Sequence, residues 1–200
     1  MNLRTIYFSA THTSERVAKA ISCAVADEFA VEDITFGELR NPNFAADDML
    51  LVAVPVYGGG VAPVALKRLE AMRGNNTPAV VVVVYGNRNF ERAATQMSDF
   101  LAERGFVTIA AAAFVGEHSY STDENPVAVG RPNDGDIAEA QRFGELIKAK
   151  MAGAMDAVDV AAMTCPDSGE ENVKAFVEFV KGYQAEQVKN PVKLLPTTDE

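Results

Sequence analysis

A chain of 200 residues with 48% hydrophobic and 23% charged residues suits one globular domain with a short appendage, and excludes a disordered tail. With 18 Lys and Arg against 28 Asp and Glu, the net charge of −10 repels phosphate backbones, which excludes nucleic acid as a general partner and steers the chain towards basic surfaces. Cys23 and Cys165 are too few for a four-cysteine iron–sulfur or zinc site, and the most apolar stretches, 78–85 and 106–115, are too short for a membrane span, so a cytoplasmic protein is expected.

Residues 3–8 form a short β-rich apolar run, read as a first strand. Val17, Ile21, Ala24, Val25 and Phe29 then recur at the helical period and predict a helix over 15–29, with Cys23 in its core face. A weaker strand follows at 31–36. Residues 49–54 are apolar on both faces, as a buried parallel strand requires. A short helix opens at Pro63 and runs to Met72. Residues 79–85 are a fourth, fully apolar strand. Phe90, Ala93, Met97 and Leu101 mark a helix ending near Gly105, and 106–115 is a fifth strand. Residues 116–135 form a long polar loop, and Ile137 to Met151 a last core helix. Strands separated by helices imply a three-layer α/β fold with a doubly wound five-stranded parallel sheet. The domain is expected over 1–155. Residues 156–200 read as an extension with one amphipathic helix (Val173, Phe176, Val177, Val180) and a loose tail.

Ligands of open parallel sheets bind beyond the carboxyl ends of the strands, so the loops after the strands carry the chemistry. After strand one comes Ser9-Ala10-Thr11-His12-Thr13-Ser14: four hydroxyls in six residues, where the amides of a helix start are unpaired. No glycine precedes Gly37, so neither a dinucleotide nor a triphosphate loop fits. Hydroxyls without lysine suit one terminal phosphate; the plainer reading is N-capping by Thr13 or Ser14. After strand three, Pro55-Val56-Tyr57-Gly58-Gly59-Gly60 offers an aromatic face and a pliable backbone for a flat ligand, or only a flexible turn. After strand four, Tyr85-Gly86-Asn87-Arg88 flanks the same place, and Asn89 is expected to cap the next helix. After strand five stands His118, an acid or base, or a partner for a backbone carbonyl.

These segments resemble the flavodoxin family. Ser9-Ala-Thr-His-Thr-Ser14 resembles its phosphate loop, and Pro55-Val-Tyr-Gly-Gly59 and Val84-Tyr-Gly-Asn-Arg88 its two ring-flanking loops. With Phe114-Val-Gly-Glu-His-Ser119 and Gly130-Arg-Pro132, they are most similar to the flavodoxin-like half of flavodoxin–ferredoxin fusion proteins of anaerobes. The resemblance spans about residues 3–152. It implies strand order 2-1-3-4-5 and non-covalent FMN. Ser9, Thr11, His12, Thr13 and Ser14 would surround the phosphate. Pro55, Val56, Tyr57, Gly58 and Gly59 would line one side of the ring, with a glycine carbonyl turned towards flavin N5. Tyr85, Gly86, Asn87 and Arg88 would line the other, with His118 nearby. The sequence departs from the family at His12, where glycine is usual, and in residues 156–200, which hold one cysteine, Cys165, where the fusion proteins carry a ferredoxin module. The implied function is electron transfer to separate partner proteins with basic docking surfaces. A small NAD(P)H or quinone oxidoreductase, as a possible homodimer, is the alternative. An interaction module that has lost flavin is a second one. No constellation for hydrolysis stands out.

Overall fold

The computed structural model describes residues 1–153 and 163–164. The elements are β1 (Asn2–Tyr7), α1 (Thr13–Val25), β2 (Ala30–Asp33), β3 (Asp48–Tyr57), β4 (Gly60–Val61), α2 (Pro63–Arg68), β5 (Thr77–Tyr85), α3 (Ala93–Ala102), β6 (Phe106–Val115), α4 (Asp134–Met151) and β7 (Met163–Thr164). The sheet runs β2-β1-β3-β5-β6-β7, all parallel, with β4 pairing antiparallel to β3 as a hairpin. Its first five strands follow the expected 2-1-3-4-5 order of a flavodoxin-like three-layer α/β fold.

The apolar runs of β3 and β5 explain the layering. Leu50, Val52 and Val54, with Val81 and Val83, face α2 and α3. Met49, Leu51 and Ala53, with Val80, Val82 and Val84, face α1 and α4. Each such side chain contributes about 1.5–3 kcal/mol on burial. Leu69, Met97 and Leu101 close the first layer; Val17, Ile21, Phe143 and Ile147 close the second.

Several bounds differ from the sequence reading. Helix α1 ends at Val25 because Ala26 is extended (φ −146°), although Phe29 still packs on the core. Cys23 is exposed, not core, because it points away from the face that carries Val17, Ile21 and Val25. Helix α2 stops at Arg68; Leu69 and Met72 are buried from the turn that follows. Helix α3 starts at Ala93, three residues after Phe90. Beyond the long loop, β7 pairs with Ala112 and Ala113 at the sheet edge, a strand the sequence did not suggest. The helix expected at 173–180, Cys165 and the tail lie outside the described residues.

Candidate functional site

Because β1, β3, β5 and β6 are parallel, their carboxyl ends meet at one edge, and four loops converge there. The first leads into α1. Its N-cap is His12, held at φ 61° in the left-handed region, with no side-chain cap. Neither Thr13 nor Ser14 caps the helix. That role falls to Ser9, whose Oγ accepts the Glu15 N–H at 3.0 Å while its own N–H donates to Thr35 Oγ1 at 2.9 Å. Thr11 and Thr13 hydroxyls lie 3.3 Å apart. Ser14 Oγ is fully buried and has no partner among the described residues. A buried hydroxyl without a bond is costly, and so marks a place where an acceptor is missing.

Glu15 organises the outer side of this turn. It accepts from Tyr7 OH (3.1 Å) and Lys19 Nζ (2.6 Å) and lies 2.7 Å from His12 Nδ1. Lys19 first, then His12, hold its carboxyl down to about 2. Burial, then the charges of Asp33 and Glu15, push the Tyr7 phenol up to about 12.

The second loop is a hairpin. Pro55, Val56 and Tyr57 continue β3, where a loop was expected, because Val56 pairs with Val61 and Tyr57 with Gly60. Gly58 (φ 58°) and Gly59 (φ 77°) form the two-residue turn, both in the left-handed region that only glycine enters freely. The Arg92 N–H donates to the Gly59 carbonyl at 3.1 Å, and the Val61 N–H to Gln96 Oε1 at 2.8 Å, so α3 holds this turn. Tyr57 is 51% exposed.

In the third loop, Tyr85 is 2% exposed and its ring packs edge-to-face on Phe90 at 5.3 Å, so Phe90 is its stacking partner. Asn87 adopts φ 57°. Asn89 does not cap α3, whose N-cap is Arg92; its Oδ1 accepts the Glu91 N–H at 2.9 Å in a local turn.

The fourth loop is long but well tied. The Gly116 N–H donates to Tyr85 O (2.8 Å), the Glu117 N–H to Arg131 O (2.9 Å) and the His118 N–H to Val127 O (3.2 Å). Glu117 Oε2 accepts the Gly130 N–H at 3.0 Å, and Arg131 is buried on Asp136. His118 Nδ1 accepts the Tyr120 N–H at 3.0 Å, so its backbone partner is a donor, not the expected carbonyl.

These loops line an open, shallow cleft. It brings together Ser9, Thr11, Thr13, Ser14, Pro55, Val56, Tyr57, Tyr85, Gly86 and His118. His12, Gly58, Gly59, Asn87 and Arg88 are not on its wall. Ala10, Val84, Gly116, Glu117 and Ser119 are, and were not singled out as site residues. Their signal was position, beside the strand ends. A second cleft, lined by Arg16, Ser121 and Arg131 among others, shares Thr11, Thr13, Glu117, His118 and Ser119 with the first. Among the described residues, no group of three or more His, Cys, Asp or Glu could hold a metal, and no helix is long and apolar enough to cross a membrane.

The arrangement suits a flat, phosphate-bearing ligand. The phosphate would reach the open helix start and Ser14 Oγ, and the flat part would lie along Tyr57 and Gly86. No family model and no curated protein sequence matches the chain. Solved structures do. An archaeal flavodoxin superposes with a TM-score of 0.55 at 15% identity, over 76% of this chain and 99% of its own. A Fusobacterium nucleatum flavodoxin bound to flavin mononucleotide gives 0.52 at 16%, over 78% and 99%. A flavone reductase gives 0.52 at 11%, over 82% and 66%. At these identities the likeness is one of architecture, and the chain has the flavodoxin-like fold.

Proposed function

We propose that this chain is an FMN-binding redox protein that carries electrons between separate proteins. The observation that carries the reading is the buried Ser14 hydroxyl, without a partner among the described residues, at the start of a helix whose N-cap residue, His12, supplies no side-chain cap and whose loop lines the cleft. A phosphate there would satisfy that hydroxyl together with first-turn amides other than that of Glu15, which Ser9 already holds. The fold of the F. nucleatum protein, whose bound flavin mononucleotide is known, supports the choice of ligand. FMN, when bound, takes up and releases electrons singly or in pairs.

The chain's own residues do the rest. Ser9 fixes the loop through Glu15 and Thr35, and Thr11, Thr13 and Ser14 bind the phosphate. Tyr57 offers a half-exposed ring to one face of the isoalloxazine, and Gly86 with His118 closes the other. With the Gly59 carbonyl engaged by Arg92, the Gly58 carbonyl would be the one of the pair available to a bound flavin ring. The net charge of −10 favours docking on basic partners. The motif order supports a place beside the flavodoxin half of flavodoxin–ferredoxin fusion proteins. Residues 156–200 hold only Cys165, too few cysteines for an iron–sulfur site within that segment.

An oxidoreductase is the second reading. The observation that favours it is the adjoining cleft, which shares Thr11, Thr13, Glu117, His118 and Ser119 with the first and would place a second ligand beside it. The test is the absorption spectrum of the purified chain after FMN addition and gel filtration. Co-eluting flavin bands support the reading; a colourless protein at saturating FMN overturns it in favour of an interaction module. Thr11→Ala and Ser14→Ala should each weaken FMN by about 1–3 kcal/mol, one charge-assisted hydrogen bond. Rapid, unaided NAD(P)H consumption by the loaded protein would select the oxidoreductase.

A further inference from the structure

His118 is the side chain shared by both clefts that also bridges two of the loops around them. On one side its ring lies against Gly86, in the ring-flanking loop after β5. A Cβ at Gly86 would stand 2.3 Å from His118 Cδ2 and 2.8 Å from Cγ, so only glycine admits the ring there. On the other side, Nδ1 accepts the Tyr120 N–H at 3.0 Å, and the Tyr120 ring tilts against the imidazole at 5.2 Å. The His118 N–H and carbonyl are bound to Val127 O and the Ser121 N–H, so the backbone is held and the side chain alone is free to respond.

An imidazole that accepts at Nδ1 is neutral and carries its proton on Nε2. Protonation puts a second N–H on Nδ1, facing the Tyr120 N–H. Two donors cannot share that 3.0 Å contact. The bond breaks, and the ring must turn off Gly86. We propose that His118 is the positioning residue of the cleft's ring-side wall, and that it holds the 116–131 loop against Gly86 only in its neutral form. That flavin binding follows the same proton rests on the function proposed above.

The charged groups around it are few. Arg16 of α1 and Glu117 and Arg131 of its own loop share the second cleft with it; Arg88 lies in the loop of Gly86. Arg131 is committed to Asp136, and Glu117 to the Gly130 N–H. The other histidine of the chain, His12, belongs to the Glu15 cluster. A pH-dependent change therefore has two candidate imidazole sources, His118 and His12, that single substitutions separate.

The experiment uses the full chain and two readouts. In the flavin-free protein, imidazole nitrogen shifts should report the Nε2–H tautomer at pH 8, and the Tyr120 amide resonance should move on acidification. In His118→Asn it should not, because Asn Oδ1 accepts the same N–H and does not titrate. The second readout is riboflavin affinity, since riboflavin lacks the phosphate whose own titration would intrude. Between pH 8 and 5.5 it should fall about fivefold, the worth of one hydrogen bond. His118→Asn should hold it within about twofold, His118→Leu should be weak at both pH values, and His12→Asn should keep the wild-type slope. An unmoved Tyr120 amide, or the same slope in His118→Asn, overturns the proposal. Failure of both flavins to bind at pH 8 overturns the cofactor reading instead, and the Tyr120 amide still decides whether the latch exists.

Discussion

Helices α1 and α4 start at the same edge of the sheet, and each has an acid at its third position, yet the two starts are built in opposite ways. In α4, Asn133 caps the helix and accepts the Asp136 N–H at 3.1 Å, while Asp136 turns back to accept the Asn133 N–H at 2.7 Å. That closes a capping box, and Arg131 seals it with a buried ion pair. In α1, the equivalent acid, Glu15, turns outward to Tyr7, His12 and Lys19. Its N-cap brings no side chain to the helix start, and Ser14 Oγ stays buried without a bond. One start is closed by its own N-cap residue; the other is held at the Glu15 N–H by Ser9 from upstream and leaves the Ser14 hydroxyl without a partner among the described residues. A helix start at a sheet's carboxyl edge is therefore not in itself a site, and the direction taken by its third residue tells the two kinds apart.

The closed start should be the costlier one to break. Asp136 is 1% exposed, and Asp136→Ala strands Arg131 as a buried charge and opens the capping box. We expect a loss of about 3–5 kcal/mol, read by chemical denaturation. A loss under about 1 kcal/mol would mean that Arg131 reaches solvent easily, and that the two starts differ less than their bonds suggest. Next is the seam where the two helices meet. A Cβ on Gly144 of α4 would lie 2.5 Å from the Ile21 carbonyl of α1 and 2.7 Å from Ala24 Cβ. Gly144→Ala should force the helices apart and cost about 1–3 kcal/mol. It should also loosen the α1 start, visible as weaker FMN binding in the same variant.

How much of this the sequence discloses depends on the range of the interaction. Both core layers follow from patterns within one element, whereas the sheet order came only from the family resemblance: β3 and β5 read as buried on both faces because nearly every residue is apolar. The loops that carry the site follow from strand direction alone. What escaped was set by distant partners. Val56 and Tyr57 read as loop because their partner is a strand of two residues, Gly60–Val61, too short to leave a pattern, and Pro55 before them still pairs with Val84 of β5. Ser9, not Thr13 or Ser14, reaches the helix amide because left-handed His12 turns the chain back over the first turn. Tyr85 lines the cleft, yet its ring is also buried against Phe90, a contact that the spacing of the two residues did not announce. His118 was legible as a polar residue near the site, but its tautomer depends on a bond two residues along the chain.

The open start yields smaller and more instructive effects. Ser14→Ala removes a buried hydroxyl that bonds to nothing, so the flavin-free protein should be unchanged or up to about 1 kcal/mol more stable, even though the same change weakens FMN. Opposite signs from one substitution are the mark of a group placed for a ligand. A clear loss of flavin-free stability would show that Ser14 serves the fold, and would erase the contrast with α4.

The smallest effect concerns Glu15 and has a definite pH signature. Its carboxyl sits at about 2 in the folded chain against 4.5 as the ordinary value, chiefly through Lys19 and then His12. A lowered folded value means that the charged form is the stabilising one. That stability is complete above pH 4.5 and drains away as pH falls through about 2. Lys19→Met removes the largest cause, so its folded value should rise towards 4.5. Lys19 is 48% exposed, so the pair is screened and the difference from wild type at pH 7 should be only about 0.5 kcal/mol. On acidification the wild type should lose this advantage and the two stability curves should converge near pH 2. A pH-independent gap would mean that Lys19 acts through packing on Tyr7, whose ring lies 6.0 Å from its ammonium, and not through the charge of Glu15. The outward turn of Glu15, which keeps the α1 start open, would then have to rest on His12 and Tyr7.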